Sequence, residues 1–138
     1  MELVCPAGNL PSLKAAVDNG ADAVYVGFKD DTNARHFAGL NFTERTFEKA
    51  IHYAQDKGRK VYVAINTFPQ PKGFDRWKAA VDQAAAYDVN ALILAEIGVL
   101  DYAASQWPEL RVHLSVQASV TSAEGLGLYQ EKFGIRRV

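Results

Sequence analysis

Hydrophobic positions along the chain change period in a regular order. Short runs rich in β-branched and apolar residues alternate with stretches in which apolar residues return every three or four positions. Residues 2–5, 23–26, 60–65, 91–94 and 111–116 are expected as strands, and a sixth strand begins near 135–138. Between them Phe47, Ala50, Ile51 and Ala54 stand at i, i+3, i+4 and i+7, as do Trp77, Ala80, Val81 and Ala84, and again Leu100, Ala103, Ala104 and Trp107. Each set makes one apolar face of an amphipathic helix. Local signals agree with these bounds. Thr43 is placed to cap a helix, with Phe42 and Phe47 as a hydrophobic staple across the cap, and Thr121-Ser122-Ala123-Glu124 has the form of a capping box. Gly20, Gly58 and Gly134 fall where helices should end, since glycine accepts the left-handed backbone of a C-terminal cap.

Strict alternation of strand and helix implies a parallel sheet, because a strand returns parallel to its predecessor only through a crossover. Two α/β architectures satisfy the pattern, a (β/α) barrel and an open doubly wound sheet. A dinucleotide-binding sheet needs a glycine fingerprint after its first strand, whereas Cys5-Pro6-Ala7-Gly8-Asn9-Leu10 carries Gly8 alone. The barrel is therefore preferred. A complete barrel takes roughly 250 residues, so residues 1–138 read as one domain, the N-terminal part of a truncated TIM-like barrel with five βα units and the start of a sixth strand. A partial barrel leaves parallel strand edges uncovered, and self-association through that open side is expected.

Composition narrows the function classes. Hydrophobic residues make up 49% and charged residues 22%, which is ordinary for a folded domain. The net charge of −1 provides no general basic field, so nucleic acid is not the expected partner. No apolar run approaches the roughly 20 residues that span a bilayer, and the first residues lack a secretory signal pattern, so a cytoplasmic location is expected. Cys5 is the single cysteine, which excludes an internal disulfide or a metal site built from several thiolates of this segment.

In parallel α/β folds the working face is made by the loops that follow the strands. Polar residues there are Asn9, Lys29, Asn66, Glu96, Gln117 and Ser119. The connection from 27 to 42 is far longer than the usual 2–6 residues between strand and helix, and it carries Lys29, Asp30, Asp31, Asn33, Arg35, His36 and Asn41. Arg35, beside His36 and near Lys29, could hold a carboxylate or phosphate through charge-assisted hydrogen bonds. An internal ion pair with Asp30 or Asp31 is the structural alternative. Glu96 at a strand end could act as a general acid or base, or simply cap the next helix. His113 within a strand pattern reads as a packed or helix-facing histidine, His52 as solvated, and Cys5 as a small buried apolar residue. Nothing near Ser115 or Ser119 supplies a base for a nucleophilic serine.

The motifs Cys-Pro-Ala-Gly-Asn-Leu at 5–10, Gly-Ala-Asp-Ala-Val-Tyr-Val-Gly at 20–27 and Ser-Val-Gln-Ala-Ser at 115–119 resemble the collagenase-like U-type peptidase family. The run from Lys29 to Thr43, KDDTNARHFAGLNFT, is similar to one branch of it, UbiU, of oxygen-independent ubiquinone biosynthesis. The resemblance implies a subunit that pairs with a homologous UbiV-like partner and hydroxylates the aromatic ring of ubiquinone precursors without molecular oxygen. It also implies a four-cysteine [4Fe–4S] cluster in the full-length protein, held by cysteines that residues 1–138 do not contain. No cofactor is expected in this segment, which should be inactive alone. Related members that hydroxylate bases of ribosomal or transfer RNA, and the proteolysis that the family name suggests, are the alternatives. The substrate wall is expected to collect Asn9, Lys29, Arg35, His36, Asn41, Asn66, Glu96, Gln117 and Ser119 on one rim.

Overall fold

A computed structural model describes all residues from Met1 to Val138. Five strands alternate with five helices: β1 (Val4–Pro6), α1 (Leu10–Asp18), β2 (Ala23–Gly27), α2 (Glu44–Asp56), β3 (Lys60–Ile65), α3 (Phe74–Ala86), β4 (Ala91–Leu94), α4 (Ile97–Gln106), β5 (Val112–Leu114) and α5 (Ala123–Phe133). The strands pair in parallel and in sequence order, β1-β2-β3-β4-β5. A doubly wound sheet reverses its strand order and carries helices on both faces. Here the order never reverses, and the helices cover one face.

Alternation along the strands builds that one-sided arrangement. Val24 and Val26, Val61, Val63 and Ile65, and Leu92 and Leu94 point to the helices, where they pack with Leu13, Phe47, Ile51, Val81 and Leu100 in the main core. The opposite face carries a second, smaller cluster of Ala23, Tyr62 and Ala91, with Val4, Tyr25 and Ile93 against it. This is the wall of a (β/α) barrel seen from its helical side and from its axis. Phe47, Ala50, Ile51 and Ala54 are fully buried, as the spacing requires, and Thr43 caps α2 by accepting the Thr46 N–H.

Several expected bounds are corrected. The first strand starts at Val4 because the Leu3 N–H is taken by the Asp22 carboxylate at 2.8 Å. The fifth ends at Leu114 because the buried Ser115 accepts the Gln117 N–H with its hydroxyl and starts a short 3-10 turn, Val116–Ala118. Trp107 does not complete the buried face of α4: it is the C-terminal cap residue, exposed, with its indole N–H on Asp82. The cap of α5 is Ser122, which accepts the Gly125 N–H, so the capping box expected from Thr121 is not formed. A capping box does form at α1, between Asn9 and Ser12. Residues 135–138 make no sixth strand, although Leu114 donates its N–H to the Arg137 carbonyl at 2.9 Å and Ile135 is buried.

At its lower end, where the strands begin, the axial face carries a polar group that the sequence pattern does not suggest. Glu2 accepts from Lys60 at 2.8 Å and from the Tyr62 hydroxyl at 3.0 Å, and it pairs with Arg137 at 2.7 Å. Hydrogen bonds from Lys60 and then Arg137 hold the Glu2 carboxyl down at about 2. His113 lies edge-on to the Tyr62 ring at 4.9 Å, on the axial face and not toward the helices, and burial pushes its pKa down.

Candidate functional site

The upper end of the same face is covered by the loop between β2 and α2. Its two ends close on each other: Phe42 donates to the Gly27 carbonyl at 3.1 Å and Lys29 to the Phe42 carbonyl at 3.0 Å. Its body is tied to the segment after β3. The Thr32 carbonyl accepts from Asn66 and Thr67, the Thr67 hydroxyl donates to the Asp31 carbonyl, and the Asp31 carboxylate pairs with Arg76, which pulls its pKa below the usual carboxylate range. Asp30 accepts both the N–H and the hydroxyl of Thr32. Both loop aspartates are therefore engaged elsewhere, and Arg35 forms no internal ion pair.

Under this loop lies a cavity of about 370 Å³. Alternation of β2 sends Tyr25 and Gly27 to the axial face, and both line it together with Pro6, Ala64 and Leu40. Asn9, Asn33, Arg35 and Asn41 supply its polar groups. The Arg35 guanidinium stands over the Tyr25 ring at 5.5 Å, an arrangement that fixes the cation by its attraction to the ring face while leaving its edge donors for a ligand. Mostly apolar walls with a few convergent polar groups suit a single planar ring carrying an anionic substituent.

Of the nine residues read as the substrate wall, the cavity gathers Asn9, Arg35 and Asn41. Asn66 stands behind it, accepting the Ala34 N–H at 3.0 Å and donating to the Ser115 hydroxyl at 3.3 Å, so one amide ties the loop to the end of β5. Lys29, His36, Gln117 and Ser119 are exposed and outside the cavity walls. Glu96 takes the capping role: its carboxylate accepts the Val99 N–H at 2.9 Å at the start of α4. Asn9 also spends its side-chain oxygen as a cap, on Ser12 of α1. The sequence reading missed Tyr25, Gly27 and Asn33 as wall residues. Period-two alternation in β2 was a usable signal for the first two, whereas the burial of Asn33, which is only 5% exposed, had none.

No constellation for nucleophilic hydrolysis forms. The Ser115 hydroxyl is occupied by Asn66 and the Gln117 N–H, Cys5 packs against the helix-side core, His113 sits at the lower end, and His52 is exposed on α2.

Comparisons with known proteins agree with the architecture and place the chain in a family. A solved U32 peptidase superposes with a TM-score of 0.78 over 96% of this chain and 56% of its own, at 18% identity. An HMG-CoA lyase of Bacillus subtilis superposes with a TM-score of 0.72 over 94% of the chain and 50% of its own, at 14% identity, which speaks to the barrel fold alone. In sequence, the tRNA hydroxylation protein P of Helicobacter pylori is 37% identical over the whole chain, and the collagenase of Porphyromonas gingivalis is 33% identical over 93% of it. The chain spans about a third of these relatives' length, 32% and 30% respectively. The model of Peptidase family U32 matches residues 8–138, nearly the entire run of βα units described above, and the chain belongs to that family.

Proposed function

We propose that this chain forms the ring-binding wall of an oxygen-independent hydroxylase acting on ubiquinone precursors, together with a UbiV-like partner. The observation that carries the reading is the roofed cavity of about 370 Å³ in which an unpaired guanidinium stands over a tyrosine ring. In this reading Arg35 binds the anionic substituent of the substrate, Tyr25 and Ala64 face its ring, and the anchored loop excludes water from one side. The similarity of residues 29–43 to the UbiU branch supports this substrate, because that run is the roof of the cavity. A net charge of −1 is also poorly suited to a polyanion, whose binding rests on phosphate neutralisation.

A second reading is hydroxylation of an RNA base, favoured by the 37% identity to a protein named for tRNA hydroxylation. A nucleobase is likewise a planar ring of suitable size.

The residues present do not fit a [4Fe–4S] cluster. Cys5 is the one cysteine, and no group of three or more His, Cys, Asp or Glu stands close enough to hold a metal ion. In the proposed assembly the cluster thiolates belong to residues outside 1–138.

The test is a strain lacking the gene, grown without oxygen, with its quinones and its tRNA and rRNA nucleosides measured by mass spectrometry in the same cells. Ubiquinone should fall and an under-hydroxylated precursor accumulate, and the wild-type gene but not an Arg35→Ala allele should reverse both. Normal ubiquinone with a missing hydroxylated nucleoside would transfer the assignment to RNA.

A further inference from the structure

The buried Asn33 does more than hold the loop. Its Oδ1 accepts the Arg35 N–H at 3.1 Å, its Nδ2 donates to the Asn41 Oδ1 at 3.1 Å, and the Asn41 Nδ2 donates to the Arg35 carbonyl at 2.7 Å. The three residues form a closed ring of hydrogen bonds around the Arg35 peptide. An amide's oxygen and nitrogen are hard to tell apart by shape, but here chemistry fixes them. A backbone N–H can meet only the oxygen of Asn33, and a backbone carbonyl only the nitrogen of Asn41, so both side chains are locked from opposite sides of Arg35.

That locking leaves one group over. The Asn33 amide has two N–H donors, and Asn41 takes one of them. The other has no partner in the protein, and Asn33 lines the cavity. The amide nitrogen occupies the space that a side chain at Gly27 would fill, on the axial face directly above Tyr25 in the β2 alternation. An unspent donor on a residue only 5% exposed is costly unless a ligand or water satisfies it.

We infer that Asn33 is a ligand-binding residue: its free N–H donates to an acceptor oxygen on the ring bound in this cavity, a carbonyl, ether or phenolate oxygen, while Arg35 holds the anionic substituent. The inference rests on the reading of the cavity as a ring site and adds a selection rule to it. Rings with an acceptor oxygen in reach of Asn33 bind better than rings of equal shape without one.

The probes are benzoates that differ in one atom: 3- and 4-methoxybenzoate against 3- and 4-ethylbenzoate. Binding to the 138-residue chain is followed by NMR titration. One of the two methoxy probes should bind about fivefold more tightly than its ethyl counterpart, as a neutral hydrogen bond allows. Asn33→Asp keeps the acceptor toward Arg35 and replaces the donor with an anionic oxygen, so that preference should vanish or invert. Arg35→Lys should weaken all four probes and leave the ratio standing. Because the readout is a ratio of two ligands on one protein sample, partial unfolding of a variant does not imitate it. Equal affinity of methoxy and ethyl probes for the wild type, or a ratio unchanged in Asn33→Asp, overturns the role of Asn33 and spares the ring site. Failure of all four probes to bind removes both.

Discussion

Replacing Gly27 by alanine tests the wall of the cavity directly. Gly27 pairs with Ala64 in the sheet, and its backbone is compatible with any residue, so the change adds one methyl group and no strained conformation. That methyl would overlap the Asn33 Nδ2 and Cγ and lie 3.1 Å from the Asn33 Cβ. Asn33 must leave, and the two hydrogen bonds it makes go with it. Overpacking costs about 1–3 kcal/mol, and each of the two lost hydrogen bonds about 1 kcal/mol, so Gly27→Ala should destabilise the chain by about 3–5 kcal/mol. Asn33→Ala alone, which orphans the Arg35 N–H and the Asn41 Oδ1, should cost about 2 kcal/mol. In the double variant the methyl enters space already vacated. Its cost should therefore be about 2–3 kcal/mol, well short of the sum, a coupling of about 3–4 kcal/mol that residues without shared packing do not show. Urea unfolding of the four proteins at neutral pH, with equal m-values as the condition for comparison, supplies the numbers. Additivity within about 0.5 kcal/mol would refute the claim that Asn33 fills the place of a side chain at Gly27.

Three further outcomes follow from contacts elsewhere in the fold. The Glu2 carboxyl is depressed from 4.5 to about 2, so its contribution is complete above pH 4.5 and is lost as pH falls toward 2. With Lys60 and Arg137 about half exposed, solvent screening reduces a ceiling near 3 kcal/mol to about 1 kcal/mol, which unfolding curves of wild type and Glu2→Gln across that acid window should resolve. Glu96→Ala should lose a helix cap worth about 1 kcal/mol yet leave binding of the benzoate probes unchanged; a loss of binding would restore Glu96 to the site. The chain should also self-associate, because β1 and β5 are edge strands and α5 buries none of its residues while exposing Leu126 and Leu128. Sedimentation at increasing concentration checks this, and a single monomeric species throughout would count against it.

The parts of this fold that were legible in the sequence are those written within one element or between neighbours in the chain. The bounds of β3 and β4 match the expected runs, and the buried faces of α2 and α3 match their spacing, because burial on one side leaves a period in the residues themselves. The polar group at the lower end was not legible. Glu2 meets Lys60, Tyr62 and Arg137 across gaps of 58 residues or more, and no period links such positions. The candidate site failed in part for a different reason. In a (β/α) chain the residue that leaves the C-terminal end of a strand is close to the N-terminus of the next helix, so the same few positions are asked for a polar side chain twice, once by the working face and once by the exposed N–H groups of the helix. Asn9 and Glu96 answer the second demand, and their polarity carries no independent news of the first. What distinguishes a site residue is polarity that no cap, turn or partner consumes. Among the groups that line the cavity, the Arg35 guanidinium and the second Asn33 N–H meet that measure, and Asn33 owes its place to the absence of a side chain at Gly27.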